Sequence, residues 1–350
     1  MQKSSKNPVF FLLLSVILIS ACTNAIGPEL EGTPPESERY IAVGVSGTIL
    51  VSDDNGATFT PVTSGTTEVL RGVAADNTGH CVVVGMNGTV LYSDDYGNTW
   101  DTGSVSTINT INRVICYGTN KFMAVGEPTG PDPYGIFKST DGGKNWNRTV
   151  ASITLKGIAN RSSTDFVVVG NIYMQNEAAS YLTYNTGTSW SSVYNETNGD
   201  YPAGTGYLRD VVATITSYFV AVGSGGSVYS NDGGSWTSGG TISGTLYAVA
   251  WSSSPGRLIA VGLGSGGGVS KGRIFYSGSF GTTWTEVNPG TIEFLFDVAT
   301  DGNGQFVAVG AAGEVMYSLD TGDISESGLN WAEGTSGVSV ELYGVCYVPQ

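Results

Sequence analysis

The sequence is short of the residues on which most enzyme chemistry depends. In 350 residues it has one histidine, His80, and four cysteines. His80 stands beside Cys81, and a metal site needs more ligands than that pair, so no metal and no cofactor is expected. Charge is scarce at 13%, and acids outnumber bases 30 to 15, for a formal net charge of −15. A chain this acidic does not bind nucleic acid or anionic lipid over a broad face. It shows no heptad pattern and no long amphipathic-helix pattern. The apolar run at residues 9–19 is shorter than the roughly 20 residues a membrane-spanning helix needs.

What is abundant is glycine, at 51 residues and about twice average usage. Aromatics reach 11%. Much Gly with ample Val, Thr, Tyr and Trp suits many short strands joined by tight turns. The length allows two domains or one large β architecture.

Lys3 and Lys6 precede the apolar run at residues 9–19, a signal-peptide arrangement. Ile19-Ser20-Ala21-Cys22 then resembles the bacterial lipobox. That resemblance implies removal of residues 1–21 and diacylation of Cys22; an ordinary signal peptide with an incidental Cys is the alternative. Loss of both lysines leaves 13 basic against 30 acidic residues. In diderm hosts, Thr23 after the cysteine implies sorting to the outer membrane. Residues 22–37 hold Pro, Gly and Glu with little to bury, and are expected to form a tether. Cys81, Cys116 and Cys346 sit in apolar strand patterns and are expected as buried free thiols, with one bridge as the alternative.

An apolar run ending in Val-Gly recurs seven times, closing at Gly44, Gly85, Gly126, Gly170, Gly223, Gly262 and Gly310. Repeats at this period predict an all-β, seven-bladed β-propeller over residues 38–350, with four antiparallel strands per blade. A Leu-x-x-Val strand precedes most copies. The first copy lacks it, and the last residues, 342–348, supply one with nothing after it. The C-terminal strand is therefore expected to pair innermost in the N-terminal blade, a 1+3 seam that removes free sheet edges.

A turn follows each third strand. It resembles the Asp-box, or BNR, motif Ser-x-Asp-x-Gly-x-Thr-Trp, best seen at Ser93-Asp94-Asp95-Tyr96-Gly97-Asn98-Thr99-Trp100. Asp54, Asp141, Asp232 and Asp320 stand in register with Asp95, and Trp146, Trp190 and Trp284 with Trp100; the fifth copy reaches its Trp236 one residue early, and an insertion in the seventh delays Trp331. Asp can hold such a turn through backbone N–H groups, Gly permits positive φ, and Trp packs between blades. These residues read as scaffold.

Together the motifs are most similar to the photosystem II assembly/stability factor-like group of Asp-box propellers. That resemblance implies a non-catalytic binding propeller whose partner is a protein or peptide segment. Sialidases carry Asp-boxes too, but their arginine triad has no counterpart here. A carbohydrate-binding or glycoside-hydrolase propeller is the alternative.

The residue after the first Leu of each innermost strand is expected at the channel mouth. Around the ring this rim reads Arg71, Asn112 followed by Arg113, Lys156, Arg209, Tyr247, Phe296 and Tyr343. It can accept a carboxylate or phosphate beside an aromatic wall. The competing reading pairs these cations with acids such as Asp210 and Asp297. Longer loops on the same face carry Tyr134, Tyr173 and Tyr201, further candidates for ligand contact. The partner is expected to be a protein or peptide, or a glycan, with the membrane touched only through the lipid and the propeller monomeric.

Overall fold

The computed structural model describes residues 38–151, 154–172, 177–184, 189–192, 207–214, 218–230, 236–266, 269–319 and 330–349. The signal peptide, Cys22 and the tether lie outside the described residues, as do Tyr173, Tyr201, Asp232 and Asp320.

The described chain is all-β, with three short 3-10 turns and no α-helix. Its strands form five four-stranded antiparallel sheets and one of six. A representative sheet runs Leu70–Ala75, Cys81–Gly85, Val90–Ser93, Asp101–Thr102 from inner to outer edge. The Val-Gly runs are its second strands. In Arg39–Gly44, Cys81–Gly85 and Phe306–Gly310 every residue is buried. Continuous apolar runs fit strands covered on both faces. The outer strands Asp101–Thr102 and Asn147–Val150 are exposed throughout, which explains their polarity.

The C-terminal strand Leu342–Val348 heads the sheet that continues with Arg39–Gly44, Ile49–Ser52 and Thr60–Val62. Its register pairs Arg39 with Val348 and Val43 with Gly344. Leu342–Val348 packs against Leu70–Ala75, and the innermost strands follow one another as Ile111–Gly118, Thr154–Ser162, Leu208–Ala213, Thr237–Ser252 and Leu295–Thr300. The last of these packs back on Leu342–Val348.

The six-stranded sheet differs from the repeat pattern. Two strands run on through the junctions where the repeat predicts breaks: Phe219–Ser230 spans a second and a third strand, and Thr237–Ser252 a fourth and the next innermost. The junctions are glycine-rich. Gly225, Gly226 and Gly244 have φ of 87°, 146° and 135°, so the chain turns there without a loop of its own.

Among the described residues six hydrophobic clusters lie between neighbouring sheets and a seventh between the two halves of the six-stranded sheet, and one box aromatic joins each. Trp100 packs on Ile41, Val83 and their neighbours, and Phe59 and Trp146 are buried in theirs. Trp190, Trp236, Trp284 and Trp331 join the remaining four. Burying one aromatic in each cluster ties neighbouring repeats together. Cys81, Cys116 and Cys346 form no disulfide; Cys81 and Cys346 are buried, whereas Cys116, expected to be buried too, is only half-buried.

Candidate functional site

The rim begins with a backbone irregularity. In each of the seven innermost strands the pairing register skips one residue, between Leu70 and Gly72, Ile111 and Arg113, Leu155 and Gly157, Leu208 and Asp210, Leu246 and Ala248, and Leu295 and Asp297. In the C-terminal strand Leu342 and Gly344 pair but Tyr343 does not. The skipped residues are Arg71, Asn112, Lys156, Arg209, Tyr247, Phe296 and Tyr343. A β-bulge frees such a residue from the ladder and re-aims its side chain.

The bulge also explains the Val-Gly motif. A Cβ on Gly85 would collide with the Val69 carbonyl oxygen, and on Gly310 with that of Phe294. Those carbonyls accept the N–H of Met86 at 2.9 Å and of Ala311 at 2.8 Å. The same crowding occurs at Gly44, Gly126, Gly170, Gly223 and Gly262.

The bulged side chains build an arc. The Arg209 guanidinium lies 4.7 Å from the Tyr247 ring centre, and Arg71 lies 5.6 Å from that of Tyr343. Between them, Tyr247 meets Phe296 edge-on at 5.6 Å, and Phe296 meets Tyr343 at 5.3 Å. Three aromatic rings thus join two arginines. Nε of Arg71 and Nε of Arg209 have no hydrogen-bond partner among the described residues. A cation–π contact holds each guanidinium through its face.

The other side of the rim is neutralised. Lys156 forms an ion pair with Glu127, and the Asn112 side chain donates to the Leu155 carbonyl at 2.8 Å. Burial pushes the Glu127 carboxyl up, but Lys156, Asn112 and Arg71 outweigh it and hold the group below its usual range. Lys156 therefore offers less to an anion than Arg71 or Arg209.

Arg113 corrects the expectation of four equivalent rim cations. It stands at the third strand position, and Asn112 takes the rim place. The third positions of the other strands are Gly72, Gly157, Asp210, Ala248, Asp297 and Gly344. Small residues leave room for the Arg113 side chain to cross the channel. It reaches Asp210 at 3.1 Å and Asp297 at 2.6 Å, and both carboxylates are almost wholly buried. Asp210 also accepts the Val249 N–H at 3.0 Å, and Asp297 that of Val345 at 2.9 Å. Burial works against the Arg113 charge, but the two carboxylates prevail and keep it protonated. Burial pushes the Asp210 carboxyl up to about 6, with Arg113 pulling it down. Beyond this triad, the outgoing halves of the innermost strands line a cavity of about 760 Å³.

A family model for the photosynthesis system II assembly factor YCF48 matches residues 58–327. The chain belongs to that family. Among solved structures, "YCF48 bound to D1 peptide" is 20% identical with a TM-score of 0.56, covering 78% of this chain and 84% of that one. YCF48 from Cyanidioschyzon merolae gives the same identity and score, covering 78% and 87%. The GH74 xyloglucanase from Xanthomonas campestris is 13% identical with a TM-score of 0.64, and the match covers 86% of this chain but 53% of the enzyme. At these identities the likeness establishes a β-propeller fold and nothing finer. A search of curated proteins gives no match.

Within the YCF48 family frame, the Asp-boxes are turn chemistry. Asp95 accepts the Thr99 N–H at 2.9 Å, the Thr99 hydroxyl at 2.7 Å and the Ser93 hydroxyl at 2.7 Å. Asp54 and Asp141 repeat the pattern with Thr58 and Asn145. Burial pushes these three carboxyls up, but the donated hydrogen bonds win and hold them low. Trp100 and Trp146 donate to the Gly97 and Gly143 carbonyls of their own boxes.

The long loop with Tyr134 is also tied down. Asn109 donates to the Asp132 and Tyr134 carbonyls at 2.7 and 2.9 Å, and Arg148 sits 4.1 Å from the Tyr134 ring centre. Among the described residues, no group of three or more His, Cys, Asp or Glu is arranged to hold a metal. Glu127 is the functional residue that sequence reading missed as a rim partner. Its only signal was a place directly after the Val-Gly run.

Proposed function

We propose that the protein is a non-catalytic, peptide-binding scaffold, and that the arc from Arg209 through Tyr247, Phe296 and Tyr343 to Arg71 is its binding surface. The arc itself carries this reading. Two arginines that form no ion pair among the described residues suit a carboxylate, and the rings between them suit apolar side chains of the same segment. The peptide-bound YCF48 structure supports the polypeptide class of partner.

In this reading the propeller has seven blades, closed by the C-terminal strand in the N-terminal blade, and works as a monomer. Residues 1–21 are a signal peptide, and Cys22 carries lipid that holds the domain at the cell envelope through residues 22–37. In a diderm host that membrane is the outer one. Labelling with an alkyne fatty acid, abolished by Cys22→Ser, tests the anchor.

The binding surface is tested by fluorescence anisotropy with labelled peptides that end in a free carboxylate or in an amide. Arg71→Ala and Arg209→Ala weaken carboxylate peptides by about tenfold each, equivalent to about 1.4 kcal/mol. Amidated peptides bind more weakly to the wild type. Equal affinity of all three proteins for every peptide removes the arc from the argument.

A further inference from the structure

The cavity at the far end of the channel is separate from the rim. Rim residues occupy the second position of each innermost strand and the Arg113 triad the third; Arg113 closes the inner end of the cavity, and its wall runs on from the fourth position with Val73, Val114 and Val211. It continues into the turns that follow, through Asn77, Ser163 and Asn303. Its volume of about 760 Å³ lies in the range of small-molecule sites.

We propose that this cavity binds a neutral saccharide of about two rings. Its charge excludes the alternatives. Arg113 lines the inner end, but Asp210 and Asp297 already hold that guanidinium, so an anion gains little from it. Asp301 stands at the outer end with Glu38 beside it, and that acidic pair disfavours an anion. Asn77 and Asn160 supply amides, and Trp251 and Tyr347 supply ring faces and edges. Amides beside aromatic rings match the alternating hydroxyl and C–H faces of a sugar.

Three lining residues carry polar atoms with no partner among the described residues: Asn77 Oδ1, Tyr117 Oη and Trp251 Nε1. Trp251 is itself held in place by a stack that runs outward through Phe280, at 5.5 Å and 27°, to Tyr218, at 5.1 Å and 27°. A fixed indole presents its platform without losing side-chain freedom on binding.

The test uses the full chain in detergent, with saturation-transfer NMR and calorimetry. The probes are maltose, cellobiose and N,N′-diacetylchitobiose, with spermidine and glucose 6-phosphate as charged controls. At least one neutral disaccharide binds, and neither control competes. Ala213→Phe and Asn160→Leu narrow the cavity and weaken that binding by about tenfold or more. Both variants keep the wild-type thermal transition and peptide affinity at the rim, so the two sites fail or stand independently. The proposal falls if no neutral disaccharide binds the wild type, if both filled variants bind as well as it does, or if spermidine binds in their place.

Discussion

Arg113 and Asp210 meet at 3.1 Å inside the channel, although 97 residues separate them in the sequence. With Asp297 they form a strut between three blades at a level where the other innermost strands carry only Gly or Ala. Removing Arg113 leaves two carboxylates buried and unpaired. Arg113→Met is expected to cost about 3–5 kcal/mol, the range for breaking a buried ion pair. Urea unfolding at neutral pH measures it. A loss below about 1 kcal/mol would show that the strut is dispensable.

The same strut gives stability a pH dependence of known sign. Burial raises the Asp210 carboxyl from its usual 3.8 to about 6, so folding takes up a proton between those values. Its contribution is full below about pH 4 and falls as the pH rises towards 6. Asp54, Asp95 and Asp141, held low, act the other way and are lost as pH falls. Asp210→Asn removes only the first effect. Between pH 4 and 6.5 the stability of the wild type relative to Asp210→Asn is expected to drop, by an amount on the order of 3 kcal/mol. A constant difference across that window refutes the assignment.

The bulge requires glycine opposite it. Gly85→Ala forces a methyl group onto the Val69 carbonyl and is expected to destabilise by about 3 kcal/mol. Gly278→Ala is the control, because a Cβ there meets nothing within 4 Å, and its effect stays within about 0.5 kcal/mol. Thermal unfolding of both variants separates a steric demand from general loss of glycine.

Glu127 sets the electrostatic strength of the rim. Glu127→Gln releases Lys156 and removes a negative charge that also acts on Arg71. Carboxylate-ended peptides are expected to bind about three- to fivefold more tightly, equivalent to ~1 kcal/mol, with amidated peptides little changed. Weaker or unchanged carboxylate binding shows that Glu127 has no such role.

Much of this was legible in the residues. The Val-Gly runs gave the second strands, and the Asp-box gave the turns and the inter-sheet aromatics, because each answers a demand made within one repeat. The rim was legible as a list but not as an arrangement. Arg71 and Arg113 look alike in sequence, each near the start of an innermost strand. One residue of offset sends the first onto Tyr343 and the second across the channel.

The sequence by itself determined the repeat, the all-β class and the scaffold role of Asp95 and Trp100, since local hydrogen bonding and strand-length apolar runs are written in consecutive residues. Only the tertiary structure decided which cations stay available. Arg71 and Arg209 lie against aromatic rings from other blades and form no ion pair among the described residues. Arg113 and Lys156 are taken up by Asp210, Asp297 and Glu127, which lie in other blades. Charge pairing depends on distance through space, and the packing of the innermost strands on one another sets those distances between residues that the linear order keeps apart.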